Sequence, residues 1–273
     1  MDLILNGQIL REEDFHLSTE NRAFTYGDGI FETLIAKEGN IKFFKEHLER
    51  LKAGLKVLDI VNEKLFDEEE LQKKIISLIK INGIRGIARI KIMVWRKSGG
   101  LFSPEKNEGE YLILIKEHIK PAQQKEKVFF YKENTKTYSA VSKFKTISSL
   151  HYVLAGIFKN KNAADDLILF DSKGNISECL NSNIFWIKDH FVFTPSLLSA
   201  CVDGIMRKQI IQKLKEKKII LIEGEFSSRE IMHADFVFTS NVTGLFPVLS
   251  VEGKTYNAKN GIFQCLSSEL NYC

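Results

Sequence analysis

Lys143-Phe144-Lys145-Thr146-Ile147-Ser148-Ser149 stands where one periodicity gives way to another. Before it, KVFFYK (127–132) has the β-branched and aromatic content of a strand, and after it the spacing predicts a helix from about Ser148 to Lys161. A lysine in such a connection can attack a carbonyl only when deprotonated, a state that burial or a neighbouring cation favours. Lysine is abundant in this chain, so on this stretch alone Lys145 reads as a solvated charge.

Downstream, DLILF (166–170), NIFWI (183–187), FVFTP (191–195), KIILIE (218–223), DFVFT (235–239) and LFPVLSV (245–251) read as strands, with a helix beginning near Gly204. Upstream, the polar, aperiodic run after Pro121 predicts a linker over 120–125. The first half opens with a hairpin whose turn is Asn6-Gly7. FETLIA (31–36) and IKFF (41–44) suggest a second strand pair. Leu48, Leu51, Leu55 and Leu58, then Leu71, Ile75, Ile76 and Ile79, mark two amphipathic helices. IARIKIMVW (87–95) and YLILIKEHI (111–119) read as strands joined by a long loop with Ser98-Gly99-Gly100 and Pro104. Strands and helices mix without strict alternation, so the fold class is α/β of the α+β kind. The domains expected are a smaller one over 1–119 and a larger one over 126–273.

The 273 residues are 44% hydrophobic and carry a net charge of +4, which suits a folded globular protein and falls short of a nucleic-acid footprint. No apolar run reaches membrane-spanning length, and the start lacks the pattern of a secretory signal. The four cysteines, Cys179, Cys201, Cys265 and Cys273, lack metal-type spacing, and no Walker-type loop, GxGxxG, HExxH or CxxC is present. The expectations are therefore a cytoplasmic protein with reduced thiols, no metal, no nucleic acid and no membrane.

Four other short segments carry polar groups in positions of interest. Tyr26-Gly27-Asp28-Gly29, directly before a strand, suggests a tight turn that brings backbone close to something. Arg50, in His47-Leu48-Glu49-Arg50-Leu51 on a helix, is either a solvated face residue or a fork for phosphate. Glu178 lies in Ile176-Ser177-Glu178-Cys179-Leu180-Asn181-Ser182-Asn183, read alone as a polar turn leading into a strand. Val202-Asp203-Gly204-Ile205-Met206-Arg207 opens a helix, and Thr239-Ser240-Asn241-Val242-Thr243-Gly244 follows a strand. Helix starts with hydroxyl and amide side chains nearby suit phosphate, although capping explains each piece taken singly.

In order, from about Asn6 to Val248, these segments resemble the class IV (fold type IV) pyridoxal-phosphate family of branched-chain and D-amino-acid aminotransferases and aminodeoxychorismate lyase. The resemblance implies a two-domain D-amino-acid-aminotransferase-like fold with the cofactor at the domain interface, and a homodimer. It implies that Lys145 carries pyridoxal 5'-phosphate as a Schiff base and later moves the α-proton, and that Glu178 keeps the ring nitrogen protonated. It assigns the phosphate to Arg50, Ile205, Met206, Ser240 and Asn241, and the ring face to Val202. Tyr26, Phe31, Thr33 and Arg96 are the implied substrate contacts. VDGIMR stands where many members have LPGITR, so a threonine hydroxyl is missing at Met206. FETL departs from the FEGI of branched-chain enzymes, and Leu101-Phe102 departs from the lyases. The expected reaction is amino transfer between an amino acid and a 2-oxo acid. Its alternatives are pyruvate elimination from aminodeoxychorismate, giving 4-aminobenzoate, and a non-catalytic ligand-binding protein that keeps the fold.

Overall fold

Asn6 and Gly7 both take left-handed backbone angles (φ 50° and 89°), as a two-residue hairpin requires, and join β1 (Asp2–Leu5) to β2 (Gln8–Arg11). The computed structural model describes residues 1–62, 67–119 and 122–271. It divides into two compact units, one of Met1–Ile119 with Phe144–Ser148, the other comprising the remaining described residues. Of the expected linker, 120–121 lie outside the described residues, while Lys125 already hydrogen-bonds through its backbone N–H to the Pro247 carbonyl at 2.8 Å.

In the first unit a short helix α1 (Arg22–Tyr26) leads into β3 (Gly29–Lys37), followed by β4 (Asn40–Ile41), α2 (Phe44–Val57), α3 (Glu68–Ile81), β5 (Ala88–Arg96) and β6 (Gly109–Glu117). The six strands form one sheet in the order β2-β1-β6-β5-β3-β4. Because strand side chains alternate, one register (Ile30, Leu34, Ile90, Ile92, Ile113) packs on Leu48, Leu51, Leu55, Leu71, Ile75 and Leu78 of the helices. On the other register Phe31, Thr33 and Lys91 are half-buried, while Ile35 and Trp95 are buried. Asp67 caps α3 by accepting from the Glu70 N–H, and the three glutamates of the first turn complement the helix dipole. The strand expected over 41–44 is cut short. Phe43 turns left-handed (φ 52°), and Phe44 starts α2 with its ring in the core.

The second unit contains β7 (Val128–Lys136), α4 (Leu150–Lys161), β8 (Asp166–Asp171), β9 (Ile176–Cys179), β10 (Asn183–Lys188), β11 (Phe191–Pro195), α5 (Ile205–Glu216), β12 (Leu221–Gly224), α6 (Ser228–Met232), β13 (Phe236–Asn241), β14 (Gly244–Val248), β15 (Ser250–Val251), β16 (Lys254–Thr255) and α7 (Gly261–Leu270). Two five-stranded sheets result, ordered β12-β11-β10-β13-β14 and β16-β15-β7-β8-β9. Each mixes parallel pairs (β11 with β12, β7 with β8) with antiparallel ones, in keeping with the α+β reading. The segment around Glu178, read as a polar turn, is instead a strand whose four residues are all buried. Ile168, Phe170, Ile176, Ile184, Trp186, Val237 and Val248 form the core between these strands. Among the described residues no helix is long and apolar enough to cross a membrane, and no cluster of side chains suits a metal ion.

The turn at Tyr26-Gly27-Asp28-Gly29 does bring backbone close to backbone. Gly27 ends α1 in the left-handed region (φ 64°), and a Cβ on Gly29 would stand 2.3 Å from the Val94 carbonyl oxygen. A strand carbonyl cannot move aside as a flexible side chain can. Gly29→Ala is therefore expected to lower stability by about 2–3 kcal/mol. Urea denaturation should show the loss as a lower midpoint with an unchanged slope.

Candidate active site

Phe144–Ser148 adds to the edge of β3 as a short antiparallel partner. The Phe31 N–H donates to the Lys145 carbonyl (2.8 Å), the Ile147 N–H to the Gly29 carbonyl (2.9 Å), and Ile30 bridges Thr146. Alternation sends Phe144 into the helix-covered core against Gly54, and Lys145 toward Phe31. The Lys145 Nζ lies 5.7 Å from the centre of the Phe31 ring. Lys91 Nζ lies 4.7 Å from that same ring and makes no ion pair among the described residues. Burial, and then the charge of Arg89, push its pKa below the ordinary lysine value. Thr33 faces Lys91 across the β3–β5 pair, and Tyr26 is partly exposed, edge-on to Phe102 at 5.7 Å.

Arg96 does not fit the substrate role expected of it. It is 5% exposed; its Nε donates to Asp28 Oδ2 (2.9 Å), Nη1 to the Asp59 carbonyl and Asn107 Oδ1, and Nη2 to the Leu58 carbonyl. Arg22 also donates to Asp28 Oδ2 (2.8 Å) and, through Nη1, to the carbonyls of Gly99, Gly100 and Leu101. These two arginines and Asp28 pin the long loop after β5, leaving Arg96 committed to the protein's own groups.

Arg50 is not a solvated face residue either. It is buried and forks onto Glu32, Nε to Oε1 at 2.7 Å and Nη2 to Oε2 at 2.6 Å, while His47 Nδ1 meets Oε2 at 2.7 Å. Burial alone would raise the Glu32 pKa, but the Arg50 charge and the bonds from His47 and Arg50 outweigh it and hold the carboxyl at about 2. Burial pushes His47 below the ordinary imidazole value, so it is neutral at neutral pH, and its buried Nε2 has no hydrogen-bond partner among the described residues.

In the second unit Glu178 is buried with three donors. Lys136 Nζ and the Tyr152 hydroxyl (2.6 Å) meet Oε1, and the Val202 N–H meets Oε2 (2.9 Å). Burial works against its charge, but Lys136, then these hydrogen bonds, hold the carboxyl below the usual range. Ile205 and Met206 form the first turn of α5, whose N-cap, Gly204, supplies no side-chain cap. Asn183 donates through Nδ2 to both the carbonyl (2.8 Å) and Oγ (3.0 Å) of Ser240, and its Oδ1 lies against Gly204, where a Cβ would stand 2.1 Å away. Ser240 is fully buried and accepts from Asn183. Asn241 Oδ1 accepts from the N–H and hydroxyl of Thr243, fixing the turn after β13.

Glu32, His47, Lys91, Lys136, Tyr152 and Asn183 were assigned no role in the sequence reading. Glu32 had a usable signal, as a carboxylate on the apolar register between Ile30 and Leu34. Lys136 had none, because a register shift between Tyr131 and Lys136 decides where it points.

The family profile for class IV amino-transferases matches residues 29–251. The chain is 28% identical over 273 residues to an aminodeoxychorismate lyase of Bacillus subtilis, covering 95% of this chain and 89% of that protein. It is 24% identical over 274 residues to a D-alanine aminotransferase of Bacillus licheniformis, covering 93% and 90%. The crystal structure of a branched-chain aminotransferase from Thermoproteus uzoniensis superposes with a TM-score of 0.90 over 99% of this chain and 93% of that one, at 19% identity, a likeness of fold alone.

The buried Glu32 gives this region a defined acid response. Its folded pKa lies below the 4.5 of the free group, so its contribution is present above about 4.5 and is lost as pH falls toward about 2. Glu32→Gln should cost about 3–5 kcal/mol at pH 7, since it removes the buried carboxylate charge onto which Arg50 forks. Stability of the variant, measured by denaturant at successive pH values, should also fall less steeply than that of the wild type between pH 4.5 and 2.

Proposed function

The chain belongs to the class IV aminotransferase family, and from that membership we propose that it is a pyridoxal-phosphate enzyme moving an amino group between an amino acid and a 2-oxo acid. The observation carrying this reading is Glu178, a buried carboxylate kept ionised by Lys136, Tyr152 and the Val202 N–H. Such a group is matched to a protonated ring nitrogen. The other requirements also have residues to meet them. An amine is present at Lys145, and the uncapped first turn of α5 offers the N–H groups of Ile205 and Met206 to a phosphate. Arg50 would add its charge, with its orientation set by Glu32. Val202 would pack on the ring, and Asn241 and Ser240 would shape the phosphate end through the turn after β13. Bound pyridoxal phosphate supplies an electron-withdrawing ring that stabilises negative charge at the substrate α-carbon.

Lys145 then has two tasks, holding the cofactor and moving the α-proton once its amine is released. Lys136 is unsuited to either, because its ammonium is committed to Glu178 and Tyr152. Phe31 and Thr33 would line the substrate side, with Tyr26 at its edge. With Arg96 engaged elsewhere, Lys91 is the better match for a substrate carboxylate, as a half-buried cation without an acidic partner among the described residues. The apolar stripe Leu150, Val153, Leu154 and Ile157 on exposed α4 supports a homodimer.

The relative in Bacillus subtilis favours a second reading, elimination of pyruvate. One experiment addresses both. Protein reconstituted with pyridoxal phosphate should be yellow, and borohydride should fix the cofactor to the peptide bearing Lys145 and not to that bearing Lys136. Amino donors offered with a 2-oxo acid should then convert the spectrum. A colourless protein ends the cofactor reading, and pyruvate release without transfer to any acceptor replaces transamination by elimination. Lys91→Met should raise KM for the preferred donor about tenfold with a smaller change in kcat, measured by steady-state kinetics.

A further inference from the structure

Glu178 does not reach its ionised state unaided. It lies on β9, a strand buried on both faces, and an isolated carboxylate there would be neutral. Lys136 Nζ donates to Glu178 Oε1 and to the Tyr152 hydroxyl (2.9 Å), and that hydroxyl donates in turn to the same Oε1. The three groups close a triangle. Its ammonium corner comes from the last residue of β7, after the register shift, and its phenol corner from α4. Lys136 is itself 9% exposed, so the pair is screened little by water.

Among the described residues, the titratable groups whose ionisation Glu178 opposes or favours, Tyr152, Cys201, Cys179 and His151, are neutral at physiological pH. Burial and the carboxylate push the Tyr152 hydroxyl well above its ordinary value, and burial, with Glu178, lifts the Cys201 thiol to about 12. Burial raises Cys179 far up, and burial with the Lys136 charge lowers His151. Tyr152 and the Val202 N–H can donate to a carboxylate, yet neither brings a compensating charge. Lys136 brings one.

We propose that Lys136 is a positioning residue that acts through Glu178, holding it as an anchored carboxylate so that the proton shared with the cofactor ring belongs to the ring nitrogen. This rests on the cofactor reading above. Without the ammonium, Glu178 becomes the stronger base of the two and keeps the proton itself, and the ring loses electron-withdrawing power while remaining bound. Tyr152 has a lesser part: it fixes the direction of Oε1 and occupies one donor position of Lys136.

The test uses the full chain with Lys136→Met, Lys136→Gln and Lys136→Arg. In protein freed of cofactor, the neutral variants let burial raise the folded pKa of Glu178 above its unfolded value. Their stability is then full at low pH and is lost as pH rises through the folded pKa. Relative to wild type, the unfolding constant should grow by about tenfold or more between pH 5 and pH 8, and Lys136→Arg should show no such growth. A deficit equal at the two pH values overturns the proposal, since a packing defect does not titrate. In protein loaded with pyridoxal phosphate carrying nitrogen-15 in the ring, wild type and Lys136→Arg should show the pyridinium resonance and the neutral variants the unprotonated one. A pyridinium resonance in both neutral variants also overturns it. If wild type binds no cofactor, the cofactor reading fails, while the pH series still decides whether Lys136 keeps Glu178 ionised.

Discussion

The constraint on which the first unit's chemistry depends is the pairing of Lys145–Ile147 with the edge of β3. Backbone hydrogen bonds from the Phe31 N–H to the Lys145 carbonyl and from the Ile147 N–H to the Gly29 carbonyl hold the segment, and the alternation they impose divides its side chains, Phe144 to the core and Lys145 to the opposite register beside Phe31. A one-residue slip would exchange them, burying the ammonium under α2 and exposing the ring. Gly29 and Gly54 make the pairing possible. At Gly29 a side chain would meet the Val94 carbonyl, and at Gly54 it would meet Phe144 itself. The lysine is thus placed by backbone geometry and by two missing side chains.

Two of the buried carboxylates, Glu32 and Glu178, are handled by one physical rule. Burial opposes the charge of Glu32 and of Glu178, and a cation within hydrogen-bond reach reverses the outcome in each case. The cations differ in kind. Arg50 forks onto both oxygens of Glu32, which fixes the plane of the guanidinium as well as the charge. Lys136 meets one oxygen of Glu178, and the second oxygen is held by a backbone N–H. A bidentate arginine suits a group whose orientation matters, whereas a single ammonium suits a carboxylate that must still accept another donor.

Periodic segments were legible in the sequence because their patterns are local. The Asn6-Gly7 hairpin, the two helices of the first unit and the long strands β5 and β6 appear where the spacing placed them. Glu178 in its strand was not legible, since Ile176-Ser177-Glu178-Cys179 shows no alternation when both faces are covered. The same limit hid the partners of the candidate site. The spacing left Arg50 open between a solvated face residue and a phosphate fork, with no sign of Glu32, eighteen positions earlier, beneath it, and Lys136 is separated from Glu178 by forty-two positions and a register shift. Ordered motifs could name Lys145 and Glu178, but not what tunes them.

Arg96 shows why a motif match and a role must be argued apart. An arginine before a glycine pair suggests an anion site, yet here every nitrogen of the guanidinium meets an acceptor of the protein, and Arg22 closes the same knot from α1. Pulling Arg96 toward a substrate would strip buried carbonyls and Asp28 of their donors, a loss that a single carboxylate contact does not offset. The knot's use lies elsewhere. By holding the carbonyls of Gly99, Gly100 and Leu101 in one fork, Arg22 gives the loop a fixed shape and leaves Leu101 and Phe102 exposed at its tip. Under the reading proposed above, a substrate anion is better met by a cation that carries no such duty. Lys91, held over Phe31 with no acid beside it among the described residues, answers that description within the first unit.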